Sequence, residues 1–167
     1  LQTYTACNGH CRYCPFDDVY GDTAPISMSE EIYASIIEWL SGNRYNGRIG
    51  FLLHYEPTLD PDLSERVDYA REALPGATLE VATNGILYTP VLSKFDVVDR
   101  VQANSKTVAT SRAGNCRATA EMDGRTRLIQ PPCIIPIQTM PMAANGEVLL
   151  CCQDWRHEAV VGTYQDL

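Results

Sequence analysis

The stretch Cys7-Asn8-Gly9-His10-Cys11-Arg12-Tyr13-Cys14 has the spacing C-x3-C-x2-C and is followed by Pro15. Its three cysteines lie too close together for ordinary disulfides, and the chain's seven cysteines are an odd number, so metal ligation is the better interpretation. Three thiolates on one loop can hold three irons of a [4Fe–4S] cube and leave the fourth iron open to a small molecule. The stretch therefore predicts an iron–sulfur site of the catalytic kind.

The alternative for this loop is a zinc site, with His10 as the fourth ligand. C-x3-C-x2-C is an uncommon zinc spacing, and His10 lies between two cysteines with little freedom to converge on their metal. Gly9 allows the tight bend that a cluster requires, and Pro15 ends the loop. The spacing therefore favours a cluster over zinc.

The composition is that of an ordinary globular protein, with 45% hydrophobic and 20% charged residues among 167. No run approaches the roughly 18 apolar residues of a membrane helix, so no membrane association is expected. The net charge of −8 repels a phosphate backbone, so nucleic acid is not an expected partner. Because oxygen destroys an open cluster, we expect a reducing, cytoplasmic setting.

Strand and helix patterns alternate along the first hundred residues. The capping box Ser27-Met28-Ser29-Glu30 opens a helix that ends at Gly42, and Asp60-Pro61 supplies the N-cap and first-turn proline of a second helix. The strand patterns occupy residues 1–6, 48–54, 79–83 and 96–103. Strands that alternate with helices predict an α/β fold of parallel βαβ units with right-handed crossovers.

The alternation of strand and helix patterns ends after Ser105. Residues 106–130 are polar and lack periodicity, which indicates a loop. Residues 134–140 and 147–152 have strand patterns, and Asn145-Gly146 between them is a typical hairpin turn. The chain is therefore expected to divide into a βα domain at residues 1–105 and a small β-hairpin module at residues 106–167.

The cysteine loop after a first strand resembles the signature of the radical S-adenosylmethionine (SAM) superfamily, and the resemblance extends over residues 1 to about 105. It implies a βα barrel and a cluster on Cys7, Cys11 and Cys14, with SAM on the open iron. In that family, one electron cleaves SAM to methionine and a 5′-deoxyadenosyl radical, which takes hydrogen from a substrate. The usual barrel has six βα units and only four strands are predicted here. The expected barrel is therefore partial, either abbreviated or lacking segments.

Two strand ends add to the resemblance. His54-Tyr55-Glu56-Pro57 stands where the family usually has Gly-Gly-Glu-Pro, and Thr83-Asn84-Gly85 is similar to the family's strand-end Thr-Asn-Gly. The resemblance implies that Glu56 accepts hydrogen bonds from the SAM ammonium and that Tyr13 lies beside the adenine, with simple packing as the alternative for Tyr13. The residues expected to bind SAM are Tyr13, Glu56, Asn84, Asn104, Ser105 and Arg112.

Asn104 and Ser105 end the fourth strand pattern, where related enzymes place ribose contacts. Arg112 is expected at the SAM carboxylate, because a guanidinium binds a carboxylate through two parallel bonds. A solvated loop position is the alternative for Arg112. An electron donor such as flavodoxin or ferredoxin is the expected protein partner.

A second cysteine set, Cys133, Gly146 and Cys151, has the spacing C-x12-G-x4-C. It resembles the opening of the SPASM and shorter twitch modules, which carry an auxiliary [4Fe–4S] cluster. One all-cysteine cluster could be bound by the four cysteines Cys116, Cys133, Cys151 and Cys152. Because consecutive strand residues point to opposite faces, one of Cys151 and Cys152 could instead be a buried thiol or a hydrogen-atom donor to the substrate, a role expected for Cys152. Ordinary core packing is the alternative for Cys116 and Cys152.

The first functional hypothesis is a radical SAM enzyme that abstracts hydrogen from a peptide, as in the tailoring of ribosomally made peptides. The alternative within the same class is a dehydrogenase or epimerase of a sugar or aminocyclitol. The alternative from another class is a non-enzymatic zinc-binding module. The strand-end motifs at Glu56 and Asn84 favour the enzyme, since a zinc scaffold has no use for them.

Overall fold

The computed structural model describes residues 1–11, 14–100 and 134–167. Its centre is a parallel sheet of three strands, β1 (Arg48–Phe51), β2 (Thr78–Thr83) and β3 (Val97–Arg100), in that spatial order. In the first pair, Ile49 lies opposite Leu79. The predicted parallel α/β architecture is confirmed, and three strands suit a partial barrel.

Helices cover this sheet because their apolar positions recur at helical spacing. The helices are α1 (Phe16–Tyr20), α2 (Glu30–Gly42) and α3 (Leu63–Ala73), with a 3₁₀ helix at Pro90–Lys94. Ile37 of α2 and Ala70 of α3 are fully buried, as are Phe51 and Leu79 of the sheet. All four belong to one hydrophobic core, which holds the carboxyl ends of β1 and β2 at one edge.

The N-caps of α2 and α3 lie two residues later than predicted. Ser29, and not Ser27, accepts the helix hydrogen bond, from the N–H of Ile32 at 3.2 Å. Helix α3 begins after Asp62, since the Asp60 carboxylate is buried and already accepts a hydrogen bond from Thr3 Oγ1 at 2.5 Å. At the start of α3, Asp62 makes no side-chain capping bond, and its N–H donates to Asp60 Oδ1 at 3.0 Å.

The predicted strand at residues 1–6 is extended but makes only an isolated bridge, between Tyr4 and Ser27. Its backbone bonds are divided between partners: Thr5 N–H donates to the carbonyl of Ile26, and the carbonyl of Ala6 accepts from Glu56 N–H. No continuous ladder forms with either neighbour. The segment nevertheless leads Cys7 to the carboxyl edge of the sheet.

The C-terminal residues form a second, antiparallel pair of strands, β4 (Glu147–Leu149) and β5 (Val160–Thr163). The predicted turn is present, because Gly146 has φ +84° and its N–H donates to the carbonyl of Ala143 at 2.9 Å. Met142 before the turn bridges to Val148 and lies in the main core. The boundary at residues 105/106 lies outside the described residues and stays a prediction.

Residues 134–140 do not form the predicted strand. They contain a short helix, α4 (Ile135–Gln138), with Pro136 in its first turn. Proline suits that position because its missing N–H would have no helical partner there, whereas in a strand the same absence removes a ladder bond. Ile137 is 87% exposed. The apolar pattern was therefore misleading as a sign of a buried strand.

Among the described residues, none of the helices combines the length and the apolar character needed to span a bilayer.

Candidate active site

The three cysteines Cys7, Cys11 and Cys14 are half-buried and form no disulfide in the structure. Gly9 N–H donates to the Cys7 sulfur at 3.4 Å, and Cys14 N–H donates to the Cys11 carbonyl at 3.0 Å. A Cβ at Gly9 would lie 3.6 Å from the Cys7 sulfur and 3.8 Å from the Cys11 sulfur. The loop thus bends around Gly9, with both sulfurs at van der Waals distance from the position of its missing Cβ.

The N-terminal segment is tied to the edge of the sheet by buried polar contacts. Thr3 Oγ1 lies 3.1 Å from the hydroxyl of Tyr55 and bonds to Asp60, whose carboxylate is 3.6 Å from Arg66 Nε. Burial raises the pKa of Asp60, while the bond from Thr3 and the charge of Arg66 lower it. These contacts fix the residues just before Cys7 against the segment that follows β1.

Glu56 lies in the segment after β1, five residues beyond Phe51, and is 2% exposed. Its Oε1 accepts hydrogen bonds from Thr58 N–H at 3.0 Å, Thr58 Oγ1 at 2.7 Å and Thr83 Oγ1 at 2.7 Å. Its Oε2 accepts from the N–H of Asn84 at 2.6 Å. The carboxylate therefore joins the ends of β1 and β2. The contact predicted between Glu56 and SAM stays a prediction.

Asn84 connects the end of β2 to the cysteine loop. Its Nδ2 donates to Asn8 Oδ1 at 2.8 Å and lies 3.9 Å from the Cys7 sulfur, while its Oδ1 accepts from Ile86 N–H at 2.9 Å. The sequence analysis placed Asn84 at SAM from its motif, and that contact stays a prediction. The amide group itself is directed to the loop.

Burial is the largest influence on the Cys7 thiol and raises its pKa. The Glu56 carboxylate and the neighbouring Cys11 act in the same direction, whereas the bonds from Gly9 and Asn84 lower the pKa. Iron binding requires the thiolate, so loading of a metal here releases a proton. The two hydrogen-bond donors stabilise that thiolate.

The donor set of this loop fits an iron–sulfur cluster better than zinc. His10 Nδ1 lies 3.0 Å from Asp17 Oδ2, and its side chain is 77% exposed. Within the described residues, no three His, Cys, Asp or Glu side chains converge as they must on one metal ion. His10 is thus turned to solvent and toward Asp17, which argues against its service as a fourth zinc ligand, and three thiolates suit the three protein-bound irons of a cubane.

A second set of contacts joins the end of β1 to the C-terminal segment. The His54 ring stacks on Trp155, with centroids 4.0 Å apart and a 20° interplanar angle. His54 Nε2 lies 3.0 Å from the carbonyl oxygen of Cys152, so Nε2 carries the proton that is donated. Tyr20 O–H donates to the carbonyl of Trp155 at 3.2 Å. Sequence reasoning missed this junction, whose partners lie about a hundred residues apart.

The second cysteine set is described only in part. Cys151 and Cys152 are half-buried, and Gln153 N–H donates to the Cys151 sulfur at 3.4 Å. The remaining predicted site residues lie outside the described residues: Tyr13, Asn104, Ser105, Arg112, Cys116 and Cys133. The auxiliary cluster and the SPASM or twitch module therefore stay predictions.

A cavity of about 280 Å³ lies between α2 and α3, in the outer layer of helices. It is lined by Tyr33, Tyr69, Arg66 and acidic side chains, including Glu30. None of the predicted site residues contributes to it. The chemistry of the chain is thus expected at the strand ends and not in this groove.

Residues 1–111 match the family model of the radical SAM superfamily, and the chain belongs to that superfamily. Among curated proteins it is similar to the S-adenosyl-L-methionine-dependent 2-deoxy-scyllo-inosamine dehydrogenase of Niallia circulans. The two are 24% identical over 190 residues, which cover 97% of this chain and 76% of the relative.

Two solved structures share the fold. One is BtrN in complex with AdoMet and 2-DOIA, with a TM-score of 0.76 and 22% identity over 99% of this chain and 76% of that one. The other is selenomethionine BtrN in an open conformation, with a TM-score of 0.70 and 23% identity over 97% of this chain and 72% of that one. At these identities the matches show the radical SAM fold and confirm the predicted fold class.

Membership of the superfamily makes the chain an enzyme of the radical SAM type. Its cofactors are a [4Fe–4S] cluster and SAM, and its chemistry needs a reductant and a substrate. The zinc-module alternative is set aside by this membership.

We expect His54→Phe to weaken the junction with the C-terminal segment. Phenylalanine keeps the stacking on Trp155 but loses the bond to the Cys152 carbonyl, which predicts a loss of about 1 kcal/mol in the free energy of unfolding. His54→Ala also loses the ring and should cost about 3 kcal/mol. Urea unfolding measures both changes.

His10→Phe is the matched control, since the same substitution at a side chain that is 77% exposed should change stability by less than about 0.5 kcal/mol. Equal midpoints for the His10 and His54 phenylalanine variants would contradict the junction.

Proposed function

We propose that this chain is a radical SAM dehydrogenase that oxidises a secondary alcohol of an aminocyclitol-like small molecule to a ketone. The observation that carries the proposal is the similarity to the Niallia circulans dehydrogenase, which extends over 97% of the chain. The BtrN structure, described as a complex with AdoMet and 2-DOIA, supports it at the level of the fold. These relatives favour this reaction, the alternative within the class, over peptide tailoring.

In this proposal Cys7, Cys11 and Cys14 hold the SAM-binding cluster. When bound, the reduced cluster supplies the electron that cleaves SAM and so generates the radical that takes hydrogen from the substrate. Glu56 and Asn84 keep the strand ends and the cysteine loop in a fixed relation through the four bonds to Glu56 and the bond to Asn8. The further SAM contacts that we propose are Tyr13, Asn104, Ser105 and Arg112.

The proposed reaction balances without an added oxidant. One hydrogen atom leaves the alcohol carbon for the 5′-deoxyadenosyl group, and the hydroxyl then loses a proton while one electron leaves the substrate. The electron that leaves the substrate replaces the one consumed in the cleavage of SAM. The net reaction therefore converts the alcohol and SAM into the ketone, methionine, 5′-deoxyadenosine and a proton. We propose an auxiliary cluster on Cys116, Cys133, Cys151 and Cys152, and flavodoxin or ferredoxin as the initial reductant.

The competing reaction within the class is epimerisation, in which the substrate radical regains a hydrogen atom from a thiol. Cys152 is the candidate donor, and its sulfur lies 3.8 Å from Gln153 Nε2. The two reactions give different products, because a dehydrogenase forms a ketone whereas an epimerase returns an alcohol. In D2O, a thiol donor would place deuterium on that alcohol carbon.

The test uses anaerobic, iron-loaded protein with dithionite, SAM and 2-deoxy-scyllo-inosamine as the probe. We expect 5′-deoxyadenosine and a ketone in equal amounts, each well above the level without the probe. A deuterated alcohol in D2O would overturn the dehydrogenase in favour of the epimerase. Formation of 5′-deoxyadenosine that a panel of aminocyclitols does not increase would overturn the proposed substrate class.

A further inference from the structure

The amide of Asn84 has a defined orientation. Because Oδ1 accepts the Ile86 N–H at 2.9 Å, Nδ2 must be the atom that faces the cysteine loop. One of its hydrogens is directed to Asn8 Oδ1 at 2.8 Å, and the other is available to the Cys7 sulfur at 3.9 Å. The hydrogen-bond network therefore makes this group a donor toward Cys7.

The Asn84 backbone is held as firmly as its side chain. Its N–H donates to Glu56 Oε2 at 2.6 Å, directly after β2. The amide also packs against Gly9, where a Cβ would lie 3.4 Å from Nδ2. A rigid strand end thus presents one side-chain donor to one sulfur of the loop.

A donor to a ligating sulfur changes the energy of the metal group that the sulfur holds. Reduction adds negative charge, and a hydrogen bond to the thiolate stabilises the reduced state more than the oxidised state. The nearby Glu56 carboxylate acts in the opposite sense, because like charges repel. The bond from the Asn84 amide to the Cys7 sulfur therefore offsets the effect of the carboxylate.

We propose that Asn84 is a positioning residue that raises the reduction potential of the cluster held by Cys7, through its amide bond to the Cys7 sulfur, and that fixes the loop through Asn8. This inference rests on the proposed assignment of Cys7, Cys11 and Cys14 as cluster ligands. It assigns Asn84 a role in how readily the cluster accepts its electron.

The test is a redox titration of the loaded protein, followed by electron paramagnetic resonance. Asn84→Asp keeps the acceptor for Ile86 N–H and replaces the donor by a charged oxygen. We expect the ratio of reduced to oxidised clusters at a given potential to fall by at least about tenfold, which is about 59 mV for a one-electron couple. Asn84→Ala removes the donor without adding charge and should shift the titration in the same direction by less.

Asn43→Asp is the matched control, because the Asn43 side chain is exposed at the end of α2 and its Nδ2 donates to the carbonyl of Trp39 at 2.8 Å. It introduces the same charge far from the loop and should titrate like the parent protein. Unchanged titrations of both Asn84 variants at full iron content would overturn the inference. Loss of iron from both, with the parent loaded, would also overturn it in favour of a purely structural role.

A parent protein that assembles no cluster would instead refute the ligand assignment. The iron and sulfide contents of the parent therefore separate failure of the proposed function from failure of the role given to Asn84.

Discussion

Cys14→Ala is expected to abolish the formation of 5′-deoxyadenosine from SAM. With Cys7 and Cys11 alone, two irons of the cube would lack a protein ligand in place of one, and the open position would no longer be defined. The expected loss is at least about a thousandfold, which is less than the roughly millionfold or greater acceleration that enzymes typically provide. Anaerobic assays with dithionite and SAM, with iron and sulfide contents per chain, measure the change.

Cys152→Ala is the matched control for that variant. In the proposed function this cysteine does not hold the SAM-binding cluster, and only its carbonyl, which alanine retains, bonds to His54. Cleavage of SAM in the absence of substrate should therefore persist. A Cys14→Ala protein that cleaves SAM as fast as the parent would contradict the assignment of the loop.

The iron content also reports on the second cysteine set. If both clusters assemble, Cys14→Ala should lose about half of the iron, because the other cluster depends on the second set. If the loop holds the only cluster, nearly all of the iron should be lost. The measurement thus tests the auxiliary cluster, half of whose proposed ligands lie outside the described residues.

Local patterns were enough to predict the cysteine loop and the alternation of strands and helices. The spacing of Cys7, Cys11 and Cys14 needs only eight residues, and the apolar positions of α2 and α3 repeat within single helices. Such signals are contiguous in the chain. The family resemblance carried by the loop extended the prediction to the whole α/β domain.

Contacts between distant side chains had no such signal. Glu56 bonds to Thr83 and Asn84, and His54 stacks on a tryptophan 101 positions later, yet no spacing rule links these residues. The same limit applies to the N-caps, where Ser27 was preferred although a hydrogen bond from Arg66 Nη2 to Ser27 Oγ engages it at 2.9 Å. Side-chain partners are set by the folded chain.

The misassigned strand at residues 134–140 has a different origin. A short apolar run suits either a strand or a helix, because periodicity cannot separate them over so few residues. Pro136 was the available signal, since proline favours the first turn of a helix over a central strand position. The position of Pro136 therefore indicates a helix at these residues, as α4 shows.

Glu56→Gln is expected to be the most damaging single isosteric change at the strand ends. The amide can keep its oxygen at the Oε1 position for Thr58 and Thr83, but its NH2 group then faces the Asn84 N–H, where Oε2 now accepts at 2.6 Å. Two donors cannot share that position, and with Glu56 only 2% exposed, water has little access. We expect a loss of about 2–3 kcal/mol in the free energy of unfolding.

The displaced Asn84 should also release the cysteine loop, so SAM affinity is expected to fall by at least about tenfold, or 1.4 kcal/mol. Equilibrium dialysis with SAM and urea unfolding measure the two effects. Glu80→Gln is the matched control on β2. Its carboxylate pairs with Arg48 Nη1 at 3.1 Å, and we expect this variant to lose less than about 1 kcal/mol in the free energy of unfolding. Equal losses of stability in the Glu56→Gln and Glu80→Gln variants would contradict the joining role of Glu56. Glu56, unlike Glu80, bonds to Asn84 and through it to the loop that bears the cysteines.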